Sequence, residues 1–186
     1  GSVADVTPAG FNVRTRVHEY GGAAYAVHGG TVFFSNFSDQ RLYVQHPGQP
    51  PEALTAAGAF YADAYVDDAR QRLICVREQH GDDGEVRNTL ASVSFAGGEH
   101  TLVAGADFYS DPIVSPDGTR LAWLQWQHPN MPWDGTELRV ATLTPDGAVC
   151  DDARTIAGGA GESIFQPMWS PDGQLYFVSD RSGWWN

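Results

Sequence analysis

Two stretches decide the reading of this chain: Ser115-Pro116-Asp117-Gly118-Thr119-Arg120-Leu121-Ala122-Trp123-Leu124 and Ser170-Pro171-Asp172-Gly173-Gln174-Leu175-Tyr176-Phe177-Val178. In each, proline presets φ at the first central position of a turn, aspartate bonds its own backbone, and glycine accepts a positive φ. The four polar residues therefore predict a tight turn that delivers the apolar run behind it as a β-strand.

Aligning on that strand exposes four copies: Thr31-Val32-Phe33-Phe34, Arg72-Leu73-Ile74-Cys75-Val76, Arg120-Leu121-Ala122-Trp123-Leu124 and Gln174-Leu175-Tyr176-Phe177-Val178. Val32 to Leu73 is 41 residues, Leu73 to Leu121 is 48 and Leu121 to Leu175 is 54, a period that grows with loop length. Each copy has a short strand and a turn before it. A polar loop follows, then an alternating strand such as Glu137 to Leu143, a Gly- or Pro-rich turn and a short closing strand. Four antiparallel strands per repeat at this period predict an all-β chain, a β-propeller whose blades bury their faces against one another. No sustained helical periodicity competes. The expected blades are 18–57, 58–106 and 107–159, with 160–186 an incomplete fourth; together, residues 1–186 form a partial propeller and part of a larger one. Val3 to Val17 is expected to be a linker and the outermost strand of an earlier blade, and Gly1-Ser2 has the character of an expression scar.

Composition narrows the partners. Hydrophobic residues at 42% and aromatics at 12% supply enough apolar surface to order the chain. The net charge is −12, and all 11 basic residues are Arg. Phosphate would repel such a chain, so neither nucleic acid nor an anionic membrane surface is expected as a partner. No apolar run approaches the ~20 residues that span a bilayer. Cys75 sits in a strand and Cys150 at a polar turn, with no CxxC pair, which points to a reduced, cytoplasmic protein.

Chemistry is sparse. A serine hydrolase needs a GxSxG elbow on a strand-to-helix turn, and none occurs; Gly161-Glu162-Ser163-Ile164-Phe165 lacks the last glycine, so Ser163 reads as the start of an inner strand. The six His residues fall one per loop or turn without paired ligand spacing, and Asp82-Asp83-Gly84-Glu85 reads as a solvated hairpin tip rather than a calcium loop. No metal, cofactor or catalytic residue is expected. Two stretches carry more information: Arg14-Thr15-Arg16-Val17-His18-Glu19-Tyr20-Gly21-Gly22, and the loop His128-Pro129-Asn130-Met131-Pro132-Trp133-Asp134-Gly135. The loop is open to two readings, packing between blades or a binding and domain-contact surface at the channel mouth.

Phe11 to Gly22 (FNVRTRVHEYGG), Thr31 to Tyr43 (TVFFSNFSDQRLY), His128 to Leu138 (HPNMPWDGTEL) and Glu162 to Asn186 (ESIFQPMWSPDGQLYFVSDRSGWWN) together resemble the N-terminal propeller of the prolyl oligopeptidase family of serine peptidases. The acylaminoacyl-peptidase and dipeptidyl-aminopeptidase-like branch is the most similar. The likeness covers essentially the whole chain, although SPDG turns alone also mark propellers such as that of TolB. It implies a two-domain enzyme in which a propeller of about seven blades caps an α/β-hydrolase domain carrying Ser, Asp and His, and restricts access to peptides. That catalytic domain is absent here, so no triad residue carries over. The implied role is a non-catalytic segment that gates peptide substrate and contacts the hydrolase domain, with Glu19, Tyr20, His128, Asn130, Trp133 and Asp134 facing the channel or that domain. The alternative is a free-standing TolB-like module for protein–protein interaction. Open blade faces are expected to favour self-association.

Overall fold

The computed structural model describes residues 4–186, so Gly1-Ser2 and Val3 lie outside the described residues. Fourteen strands form four antiparallel sheets in chain order. The first holds β1 (Tyr25–His28), β2 (Thr31–Ser35), β3 (Leu42–Gln45) and β4 (Glu52–Ala53). The second holds β5 (Ala59–Asp67), β6 (Arg72–His80), β7 (Val86–Ser94) and β8 (Glu99–Val103). β9 (Phe108–Val114), β10 (Arg120–Trp126), β11 (Glu137–Thr142) and β12 (Arg154–Gly158) make the third, and β13 (Ile164–Trp169) with β14 (Leu175–Ser179) the two-stranded fourth. Strands pair in sequence order, as propeller blades do. The expected all-β architecture of three four-stranded blades and part of a fourth is the one observed.

The apolar runs that revealed the repeat are the second strands, and they are continuous because both of their faces are covered. Successive strand residues point to opposite sides of the sheet. On β6, Leu73 and Cys75 therefore join Phe33, Leu42, Tyr61 and Val93 between the first and second sheets, while Ile74 and Val76 join Leu90, Tyr109, Leu121 and Trp123 between the second and third. On β10 the division repeats: Leu121 and Trp123 face back, and Ala122 and Leu124 face forward onto Leu138, Val140 and Ile164. Three apolar layers thus alternate with the sheets. The outermost sheets are open over part of one side: Tyr25 and Val27 on β1, and Met168 and Tyr176 on β13 and β14, are exposed.

The Ser-Pro-Asp-Gly turns form as their chemistry dictates. Asp117 Oδ1 accepts from the Ser115 hydroxyl at 2.6 Å and the Thr119 amide at 3.1 Å, the Gly118 amide closes on Ser115 O at 2.8 Å, and Gly118 sits at φ 72°. These donors hold the Asp117 carboxyl down at about 2. Thr144-Pro145-Asp146-Gly147 between β11 and β12 is built the same way, with the Thr144 hydroxyl bonding Asp146 at 2.5 Å and the Gly147 amide bonding Thr144 O at 2.8 Å.

These turns also receive a latch from the preceding blade. Arg70, on a single 3-10 turn between β5 and β6, donates to Gly118 O at 2.8 Å and Pro145 O at 3.3 Å while pairing with Asp67 at 3.3 Å. Arg120 repeats the contact one blade on, donating to Gly173 O at 3.2 Å with its guanidinium 4.4 Å over the Trp169 ring.

The segment before β1, expected as an outer strand, makes a single bridge, Val13 to Asn36, and lies against the first sheet instead. Asn36 Oδ1 captures the Asn12 amide at 3.0 Å, Phe11 packs edge-on against Phe34 and Tyr43, and Gln45 Nε2 donates to Val6 O at 2.9 Å. These side-chain contacts draw the segment off the straight path of a ladder.

Replacing Arg70 by Ala removes charged hydrogen bonds that join two blades, and urea unfolding followed by tryptophan fluorescence should show a loss of about 1.5–3 kcal/mol. A loss within the error of the parent would mean that the apolar layers alone hold the blades in place.

Candidate functional site

Each inner strand from the second blade onward carries a bulge at the same stage. Pairing with the second strand shifts between Ala62 and Tyr65 on β5, between Ser110 and Ile113 on β9, and between Phe165 and Met168 on β13. The first extra residue is left-handed every time: Asp63 at φ 53°, Asp111 at φ 50° and Gln166 at φ 50°. Aspartate tolerates this region better than branched residues do, and a bulge re-aims the side chain it carries. All three bulge residues line one cavity.

Asp63 ties this convergence together. Its amide donates to Ala23 O at 2.9 Å and its Oδ1 accepts from the Ala23 amide at 2.6 Å, a reciprocal pair with the first blade. Oδ2 lies 3.4 Å from the Asp111 amide of the third blade. Gly22 is required beside it, because a Cβ there would stand 2.8 Å from Asp63 Oδ1.

Above these carboxylates opens a cavity of about 750 Å³. Aromatic side chains dominate its wall: Tyr20, Trp126, Trp133, Phe165 and Trp185. The blades supply them from different places, Tyr20 from the turn before β1, Trp126 from the end of β10, Trp133 from the 128–135 loop and Trp185 from beyond β14. His18 completes the inner wall, its ring edge-on to Phe108 at 5.1 Å and to Trp126 at 5.5 Å, and its amide donates to Glu78 Oε2 at 2.6 Å.

Burial sets the electrostatics. Asp63 is pushed up to about 6 by desolvation and then by the charge of Asp111, against the pull of the two backbone amides. Desolvation also raises Asp111. The same cause lowers His18 to about 4, opposed by the neighbouring Asn88 side chain, and raises Tyr20 to about 12, helped by the charges of Asp63 and Glu78.

Of the six residues singled out from the sequence, the structure brings Tyr20 and Trp133 together on the cavity wall. His128 and Asn130 line a neighbouring recess of about 220 Å³, where His128 packs edge-on against Phe108 at 4.8 Å and Asn130 Nδ2 donates to Ala160 O at 2.9 Å. Asp134 shapes its own loop, accepting from the Met131 amide at 2.9 Å. Glu19 stands exposed at φ 67° in the turn after Val17. Asp63, Asp111 and His18 were not anticipated. A signal existed in the repeat of Phe60-Tyr61-Ala62-Asp63-Ala64 as Phe108-Tyr109-Ser110-Asp111-Pro112, since an acid in mid-strand runs against strand preference.

Ser163 is 1% exposed, with its hydroxyl donating to Pro132 O at 2.5 Å and its amide to Asp180 Oδ1 at 2.8 Å, a joint between the 128–135 loop and the fourth blade rather than a nucleophile. Among the described residues no three His, Cys, Asp or Glu side chains are grouped to hold a metal ion. Among the described residues, the cavity wall combines aromatic side chains with the two carboxylates Asp63 and Asp111.

Comparison with solved structures places the whole chain on known ones. It superposes on crystal structures of puromycin hydrolase with a TM-score of 0.91 at 38% identity over 100% of its length, and covers 32% of that protein. A puromycin-hydrolyzing peptidase from Mycobacterium tuberculosis matches with a TM-score of 0.87 at 40% identity over 98% of this chain and 31% of its own. The chain therefore spans about a third of the length of these proteins. A putative TolB from Agrobacterium tumefaciens, at 18% identity and a TM-score of 0.59, shares the fold alone. No family model matches, and no curated protein does.

The opposed shifts of Asp63 and His18 have a measurable consequence. A carboxyl raised from 3.8 to about 6 stabilises the fold while protonated, fully below pH 4, and that contribution is lost as pH rises through 6. A histidine lowered from 6.5 to about 4 stabilises the fold while neutral, fully above pH 6.5, and its contribution is lost as pH falls through 4. The two oppose each other across that window in the parent protein. Relative to the parent, Asp63→Asn should gain stability as pH is raised from 4 to 7, by on the order of 1–3 kcal/mol, in urea midpoints taken across the range. A pH-independent difference would show that Asp63 is charged throughout.

Proposed function

Because the chain belongs to the prolyl oligopeptidase family of serine peptidases, as a stretch of its N-terminal β-propeller, we propose that it works as a non-catalytic gate and docking element for peptide hydrolysis. The observation that carries this reading is the aromatic cavity, a concave, mainly apolar surface, as expected of a binding site rather than of blade packing. Bond cleavage takes place on an α/β-hydrolase domain, which is the partner of this surface. Tyr20 and Trp133 face the peptide, and Glu19, His128, Asn130 and Asp134 belong to the rim that meets the catalytic domain. The relatives hydrolyse puromycin by name, so aminoacyl amides and short peptides are the substrates proposed for the parent activity. Two free cysteines and the acidic balance favour the cytoplasm. The blades divide near residues 57, 106 and 159.

A chimera tests this role. With residues 4–186 in place of the matching third of puromycin hydrolase, hydrolysis of aminoacyl nitroanilides should persist. Trp133→Ala should change KM for peptides several-fold and leave kcat for a small ester unchanged, while Ser163→Ala should not abolish turnover through any loss of a nucleophile. Turnover by the isolated 186-residue chain that Ser163→Ala removes would overturn the reading.

The exposed Tyr25, Val27, Met168 and Tyr176 are faces for neighbouring blades to cover. The isolated chain should therefore self-associate with rising concentration in light scattering. A monodisperse monomer throughout would contradict this.

A further inference from the structure

Blade strands do not build the whole cavity wall. His18, Tyr20, Gly21, Gly22 and Ala23 contribute to it from the run of chain before β1. That run holds a conformation its residues do not prefer: His18 and Glu19, two successive non-glycine residues, are left-handed at φ 56° and 67°. The Glu19 amide bonds Arg16 O at 2.8 Å and the Gly21 amide bonds Val17 O at 2.9 Å, which closes the turn and leaves the Arg16 and His18 amides to be satisfied from outside. Two side chains do so. Gln40 Oε1, from the β2–β3 connection, accepts from the Arg16 amide at 2.8 Å, and Glu78 Oε2, on β6, accepts from the His18 amide at 2.6 Å. Backbone outside its preferred region persists only where its surroundings over-determine it.

Glu78 is the more telling of the two partners. It is 3% exposed, and among the described residues no arginine pairs with it; its other oxygen meets His80 Nε2 at 2.9 Å. A carboxylate is costly to bury, so packing alone does not call for one at this position. As an acceptor it binds an amide about twice as strongly as a neutral group does. Beside this contact Val17 is buried in the apolar layer between the second and third sheets, so the run is seated at Val17 and His18. Tyr20, two residues on, is 56% exposed, and its ring meets that of His18 at 5.8 Å. The turn beneath it, rather than packing of its own, sets its place on the wall. We propose that Glu78 positions Tyr20 through the His18 amide, and thereby determines the bulk of the apolar side chain that the cavity accepts. Glu78 does not itself line the cavity, so its role is that of a positioning residue. For the identity of the ligand the proposal rests on the peptide-gate reading.

Hydrogen exchange of the isolated 186-residue chain, followed by NMR, tests the positioning by itself. The His18 amide should exchange at least about tenfold more slowly than the Tyr20 amide, which makes no hydrogen bond among the described residues. Equal rates would overturn the proposal without any variant. Glu78→Ala should speed exchange at His18 by about ten- to a hundredfold and abolish the nuclear Overhauser contact between the His18 and Tyr20 rings, with the amides of β10 unchanged. Glu78→Gln, which keeps an acceptor, should restore both. Uniform acceleration along the chain, or no recovery in Glu78→Gln, would show a general structural role and overturn the proposal. If Glu78→Ala fails to fold by circular dichroism, the two amides of the parent chain decide. In the chimera, Glu78→Ala and Tyr20→Ala should each raise KM several-fold for an aminoacyl nitroanilide with a bulky apolar side chain, with a smaller effect on kcat. The double variant should be no worse than Tyr20→Ala alone, and additive losses would overturn the coupling. An unchanged KM in Tyr20→Ala would overturn the peptide-gate reading and the selectivity with it, while the exchange rates judge the positioning of Tyr20, so the two fail separately.

Discussion

The reciprocal pair between Asp63 and the backbone of Ala23 is the contact on which the functional end of this structure depends. A β-strand with all its hydrogen bonds satisfied inside its own blade has nothing to offer the next one at the axis. The bulge on β5 changes that by turning one residue out of the ladder at φ 53°, so that its amide and carboxylate both address a different blade. Pairing the Ala23 amide with a carboxylate also places an acidic group on the cavity wall.

At the opposite end the blades are joined by arginines. Arg70 and Arg120 reach forward to the Gly118 and Gly173 carbonyls of the next Ser-Pro-Asp-Gly turn. The left-handed glycine exposes that carbonyl, and the internal hydrogen bonds of the turn hold it in place. The two arginines come from different stages of their blades, one from a 3-10 turn and one from the start of β10, so the latch repeats in function without repeating in sequence. With apolar layers between the sheets and a polar fastening at each end, one blade cannot tilt far against its neighbour. The cavity, assembled from three sheets and the segment before β1, needs that rigidity to hold its wall.

How much of this could be read from the sequence follows from how local each signal is. The turns and the apolar second strands were legible because four adjacent residues determine the one and a continuous apolar run, buried on both faces in β6 and β10, marks the other. The 128–135 loop announced itself through two prolines and a tryptophan, and Trp133 does stand on the cavity wall. The other polar residues of the loop also hold its shape: Asp134 bonds an amide three residues away, and Asn130 reaches the backbone of Ala160. Asp63 and Asp111 escaped notice because they are 48 residues apart, and only the assembled arc makes them neighbours.

That distance in sequence also explains why the floor of the cavity is acidic. The bulge position must accept a positive φ, which disfavours branched residues, and at Asp63 the side chain also accepts from neighbouring amides, which glycine could not do. Aspartate and asparagine meet both demands. Asparagine would satisfy them without repulsion at the axis, yet two successive blades carry aspartate, each with a carboxyl raised by burial. Architecture alone thus accounts for the shape of these residues and not for their charge.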